Sequence, residues 1–127
     1  MIEALFAQTN YVASKKLLDA TVLRHEAIAA NIANAETPNY KRVDLAPTFA
    51  AELSRAIADK SVSQVANLRP QLAVDGSATA ANRDGNTVQL ESELLRMQQN
   101  TMAHALEVQF ISGSLSKLRS AITGRLT

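Results

Sequence analysis

The sequence predicts an all-α fold: an elongated, coiled-coil-like antiparallel pair of long N- and C-terminal helices, with a short helix and an extended, partly mobile segment between them. Three observations carry this. Apolar residues recur alternately four and three positions apart through the last third of the chain. Only 4 Gly and 3 Pro occur in 127 residues, so breakers are scarce. Apolar residues make up 46% but aromatics only 4%. Such Ala-rich, aromatic-poor sequence favours close-packed helices over a bulky core.

Residues 1–35 read as the first helix. Leu17, Leu18, Thr21, Val22, His25, Ile28, Ile32 and Ala35 follow three-and-four spacing without Pro or Gly. Its packing seam runs through Leu18, His25, Ile28 and Ile32. Thr9-Asn10 offers a cap for a second segment inside this stretch. The helix stops at Glu36-Thr37-Pro38-Asn39-Tyr40, because Pro38 lacks an N–H and biases Thr37 away from helix.

Residues 36–86 form the middle zone. Pro47 suits the start of a short helix with Phe49, Leu53 and Ile57 on one face. From Ser61 to Asn86 periodicity fades, and Asp75-Gly76-Ser77 and Asp84-Gly85-Asn86 signal turns. The expectation for this stretch is an extended, partly mobile linker, with residues 60–86 the most mobile.

Residues 87–124 read as the second long helix. Asn86 with Gln89 three residues on resembles a capping box. The seam is Leu90, Leu94, Met97, Thr101, His104, Val108, Ile111, Leu115, Leu118 and Ile122, a heptad pattern that specifies a partner helix. The simplest partner is the first helix, and apolar residues beside the seams call for further neighbours from other subunits. Gly113 weakens this helix by roughly 1 kcal/mol relative to Ala and leaves room for close helix approach.

Composition excludes several classes of function. With no Cys there is no disulfide scaffold, thiolate metal site or Cys nucleophile. A net charge of +1 provides no broad field for nucleic acid or membrane. No apolar run approaches a membrane span, and the N-terminus lacks the features of a secretory signal. His25-Glu26 begins like a zincin motif but lacks the second ligand, Ser112-Gly113-Ser114 is not a nucleophile elbow, and no Gly-rich phosphate loop occurs. No catalytic, cofactor or metal residues are expected.

The informative constellation is Asn31-Ile32-Ala33-Asn34-Ala35-Glu36-Thr37-Pro38-Asn39-Tyr40. Asn is a poor mid-helix residue, so two of them three apart at a helix end imply specific partners for their amides. Pro38 suits the second position of a tight turn, and Asn39 tolerates the positive φ that a type II turn needs at the third. Through Asn31, Ile32, Ala33, Asn34, Ala35, Thr37, Pro38 and Tyr40 the segment resembles the N-terminal motif of flagellar axial proteins. It departs from them at Asn39, where they usually carry Gly. Short length without an inserted outer domain, and the run Asp84-Gly85-Asn86-Thr87-Val88-Gln89-Leu90-Glu91, narrow the resemblance to the basal-body rod proteins, over residues 1–57 and 84–124.

That resemblance implies a non-enzymatic structural subunit of the proximal rod, in the periplasmic part of the basal body. Such subunits stack their helices into a tube that transmits torque and surrounds the export channel. Implied partners are copies of the chain, FlgC-like and further rod subunits, a basal FliE-like adaptor and the flagellar type III export apparatus, which needs no cleaved signal peptide. Two further readings stay open: another rod subunit of the FlgC-like kind, and a cytoplasmic coiled-coil adaptor. An enzyme using His25 and His104 would need bound metal, and two His alone make too few ligands.

Overall fold

The computed structural model describes residues 2–80 and 82–124, with side chains from residue 8 onward. Two long helices dominate, α1 (Ile2–Ala33) and α4 (Leu90–Thr123), each roughly 50 Å long at the α-helical rise. Between them lie β1 (Val43–Leu45), α2 (Thr48–Ala58), α3 (Val62–Asn67) and β2 (Leu72–Val74). α1 and α4 run antiparallel: Asn31 meets Glu93, while Thr21, ten residues earlier, meets Asn100 and His104. α1 is continuous through Thr9-Asn10, so no second segment starts there.

The apolar core sits on the other flank of α1. Ala13 and Ala20, seven residues apart, meet Phe49, Leu53 and Ala56 of α2 and Val65 of α3. The small alanines let α2 and α3 lie close to α1, and the spacing 49, 53, 56 puts one face of α2 against it. α2 ends in a Schellman motif: Lys60 N donates to Ile57 O (3.0 Å) and Ser61 N to Ala56 O (3.1 Å), with Lys60 at φ 53°. Ser61 then caps α3, its hydroxyl accepting from Gln64 N.

β1 and β2 pair antiparallel, with Val43 opposite Val74 and Leu45 opposite Leu72. Ala46 N to Gln71 O (2.8 Å) and Asp75 N to Arg42 O (3.0 Å) extend the ladder. The stretch expected to be an extended linker therefore contains a helix and a strand. Six-residue helices and three-residue strands carry too few positions for a periodic signal, and β2 is exposed at every residue, so it shows no alternation.

The second long helix begins at Leu90, later than its expected start. Its N-cap residue, Gln89, makes no side-chain cap bond, so the expected capping box of Asn86 and Gln89 is not formed. Asn86 is spent elsewhere, as shown below. Truncating the core at Leu53→Ala should cost about 2–5 kcal/mol. Urea denaturation of the purified chain checks this, with Ala50→Ser on the exposed face of α2 as the near-neutral comparison.

Candidate functional site

The C-terminal end of α1 meets β1, β2 and the start of α4 in a junction built from polar side chains. Asn31 is its centre. It is fully buried, and its amide uses its full bonding capacity. Oδ1 accepts from Val43 N (2.9 Å) and Tyr40 Oη (3.3 Å); Nδ2 donates to Val43 O (2.8 Å) and Glu93 Oε2 (3.1 Å). Asn31 thus pairs with β1 as a further strand would, and ties it to α4. Asn34 secures the helix end itself, donating to Ala30 O (2.9 Å) and accepting from Thr37 Oγ1 (3.2 Å).

Around Asn31 lies an ion network. Arg42 and Glu93 are 2% and 0% exposed. Arg42 Nε donates to Glu93 Oε1 (2.8 Å), one terminal nitrogen to Asp44 Oδ2 (3.1 Å) and the other to Asp75. Arg96 donates to the same Glu93 oxygen (2.8 Å). Arg24 Nε stands 3.1 Å from Asp44 Oδ1 as an ion pair, its N–H not aligned for a hydrogen bond. Three guanidinium groups and three carboxylates therefore balance. Burial works to lower the pKa of Arg42, but its bonds to Glu93 and Asp75 outweigh that and raise it, so the guanidinium stays charged. The Ser77 hydroxyl and backbone N–H, together with Arg42, hold the Asp75 carboxyl below its ordinary value.

The segment before α4 closes the junction. Asn86, fully buried, turns its Nδ2 to three carbonyls at the end of α1: Asn34 O (2.9 Å), Ala35 O (3.0 Å) and Thr37 O (2.8 Å). These carbonyls belong to the turn that follows α1, and two of them also accept from backbone, Asn34 O from Thr37 N and Thr37 O from Tyr40 N. Asn86 Oδ1 accepts from Val88 N (2.7 Å). Beside it, Thr87 N donates to Tyr40 O (3.0 Å) and Arg42 N to Thr87 Oγ1 (2.8 Å). The turn at Thr37–Tyr40 closes through Tyr40 N to Thr37 O (3.3 Å), with Asn39 at φ 60°, as its Pro-Asn pair requires. Asn39 Oδ1 lies 2.6 Å from where a Cβ would sit on Gly85, itself at φ +79°, so any other residue there is strained and must displace the Asn39 side chain.

Chemically this is a structural lock. The Glu93 carboxylate is held by donors on both oxygens, Asn31 on one and Arg42 and Arg96 on the other. Among the described residues no three His, Cys, Asp or Glu converge on a metal position. His25 is exposed. Thr21 Oγ1 donates to Leu18 O (2.7 Å), so His104 Nδ1, 3.1 Å from that hydroxyl, must be the donor between them. No described helix is long and apolar enough to cross a membrane.

The motif residues have separate placements. Asn31, Asn34, Thr37 and Tyr40 bond within the chain; Ile32 and Ala35 are half-buried, and Ala33 and Pro38 exposed. The seam lies differently from the expected pairing of α1 with α4. Ile28 is buried, and Leu18, Ile32, Met97, His104 and Ile111 are half-buried. Leu90, Leu94, Thr101, Val108, Leu115, Leu118, Ile122 and His25 face outward, the aliphatic ones 42% to 77% exposed. α4 turns Glu93 and Asn100 to α1 instead, Asn100 Nδ2 donating to Thr21 O (2.7 Å). Those bonds set the rotation of α4 and leave Leu90, Leu94 and Val108 turned outward. Gly113 has nothing within 4 Å of a Cβ, so it makes no close approach within the chain. Sequence reasoning missed Arg42, Asp75, Asn86, Glu93 and Asn100. The one signal available was the seven-residue spacing of polar residues at 93, 100 and 107.

The fold is a pair of long helices locked together by a polar junction, and comparison with known proteins gives the class of protein to which it belongs. Residues 18–41, from the middle of α1 through the turn, match the family model for flagella basal body rod proteins. The chain is 34% identical over 116 residues to flagellar basal body rod protein FlgB of Aquifex aeolicus, covering 87% of this chain and 90% of that one. It is 35% identical over 109 residues to FlgB of Borrelia hermsii, covering 72% and 78%. It is 24% identical over 138 aligned positions to FlgB of Escherichia coli, covering 96% and 97%. The chain belongs to the flagellar basal body rod protein family, a structural family of the flagellar basal body.

Two substitutions test the junction. Asn86→Ala strips donors from three carbonyls and should cost about 1–3 kcal/mol; Asn86→Asp, which sets a carboxylate against them, should cost more. Thermal denaturation ranks the two. Asp75 carries a pH signature. Its folded pKa lies below the ordinary 3.8, so its stabilisation is full above that value and is lost as pH falls through the folded pKa. Asp75→Asn should therefore be less stable than the native chain at neutral pH. The gap should narrow as pH drops below 3.8, measured by urea titrations across the acid range.

Proposed function

We propose that the chain is a proximal-rod subunit whose outward face on α4 packs against neighbouring subunits to build the tube that transmits torque and surrounds the export channel. The observation that carries this is the division of α4. Glu93 and Asn100 are bonded to α1, while Leu90, Leu94, Val108, Leu115, Leu118 and Ile122 remain in water along one helix. A stripe of that length is a costly surface for a lone subunit and a natural one for an assembled subunit. On this reading the neighbours are copies of the chain and FlgC-like and further rod subunits, with a FliE-like adaptor at the base. On the same reading the chain reaches its periplasmic place through the flagellar type III export apparatus. The segment Asn31–Tyr40 shapes the end of α1, and residues 1–35, 36–86 and 87–124 act as one structural unit.

Val108→Asp separates fold from assembly. Val108 is exposed in the single chain, so the variant should melt within about 0.5 kcal/mol of the native protein. In a packed interface the same carboxylate costs several kcal/mol, so rods and swimming should fail. Lys117→Ala should be near neutral in both. Normal swimming of Val108→Asp cells would overturn this reading.

A further inference from the structure

We infer that the face of α4 turned away from α1 pairs antiparallel with the same face of a second copy of this chain, as a holding form of the free subunit that must open before the subunit joins the tube. The pairing stands on the single chain; only its role as a holding form rests on the assembly reading above. Glu93, Asn100 and His104 of α4 bond to α1. Two positions after each comes a large apolar residue: Leu95, Met102 and Leu106. Two positions are about 200° around a helix, so these three stand on the side opposite α1. They are 55%, 68% and 65% exposed, more than Leu90, Leu94 or Val108 on the flank assigned to the tube.

This face complements itself. In an antiparallel pair centred on His104, residues equally far from that level meet across the two copies. Met102 meets Leu106, Leu95 meets Gly113, and Glu91 comes level with Lys117. Glu91, Gly113 and Lys117 are exposed as well. Nothing in the chain lies within 4 Å of where a Cβ would sit on Gly113, so the notch there is open to a partner's leucine. A parallel pair in register would set Glu91 on Glu91 and Lys117 on Lys117, repelling at both ends, and would face one notch with the other. Size and charge find their complements on the one face, as an isologous two-fold contact requires. Such a pair closes on itself, whereas a tube grows by head-to-tail contact, so a paired copy has no place in the tube until it separates. The contact spans about 39 Å of a single helix, which is small for a protein interface and suits a pair that has to come apart.

Sedimentation equilibrium and oxidative crosslinking of the full chain test this. The native chain should pass from monomer to dimer as its concentration rises. Glu91→Lys and Lys117→Glu each set like charges level at both ends and should weaken the dimer about tenfold. Combined in one chain they restore the complement and should return the dimer to within about twofold of native. The chain has no Cys, so Leu95→Cys together with Gly113→Cys should give a covalent dimer on oxidation that neither substitution gives alone. A chain still monomeric at about 1 mM overturns the pairing. So does a double charge variant as weak as the single ones, a failure of positions 95 and 113 to crosslink, or crosslinking by Leu95→Cys alone, which a parallel pair would give. Cells carrying Lys117→Glu should build normal rods, because the pair is no part of the tube; rods lost there overturn the holding form. Normal rods in Val108→Asp cells overturn the assembly reading and leave the dimer, measured on the purified chain, untouched.

Discussion

Arg42 and Glu93 can be buried only together. Either charge alone, shut away from water, would cost the fold about 3–5 kcal/mol, and the pair itself holds only because its remaining donors and oxygens are satisfied. Asn31 and Arg96 complete Glu93; Asp44 and Asp75 complete Arg42. That condition reaches across the chain. It sets the rotation of α4 through Glu93, places β1 through Arg42 and Asn31, and draws the residue after β2 inward through Asp75. The ribbon, the end of α1 and the start of α4 are consequences of one charge requirement.

The division of labour over the molecule follows. The apolar core is small and lies where α2 and α3 cover Ala13 and Ala20. The two long helices are bonded to each other through Asn31, Thr21, Glu93, Asn100 and His104. Hydrogen bonds have strict geometry, so they fix one rotation of α4, whereas an aliphatic seam tolerates sliding. The proposed assembly then has aliphatic side chains free for contact between subunits. Within a family of basal-body rod proteins, an exact internal geometry with an adaptable outer surface suits subunits that repeat.

Much of this was legible in the residues, and the limits have physical causes. Both long helices and α2 show in the apolar spacing, and the Asn31, Asn34 and Pro38-Asn39 signals locate the end of α1 and the sign of φ at Asn39. The seam was legible as a stripe but not as to what it faces. Periodicity marks an apolar side, while the side facing α1 is chosen by Glu93 and Asn100. Arg42 and Glu93 were illegible for a related reason: a lone charge in a basic pair or a first helical turn reads as solvated surface, and its burial depends on partners 33 to 51 residues away. Asn86 has a cap-like sequence context, but its amide holds the turn that follows α1 and does not cap α4.

The ribbon of β1 and β2 has two outer edges, and they differ. On β1 the outward N–H and carbonyl of Val43 are taken by Asn31, and the outward N–H of Leu45 by its neighbour Asp44. That edge is closed by side chains. On β2 the residues Leu72 and Val74 face water at the opposite edge. A sheet that can recruit strands at only one side cannot extend in both directions, which is what fibrillar stacking of ribbons requires. The same asparagine that anchors the helix end therefore also closes one edge of the ribbon to a further strand.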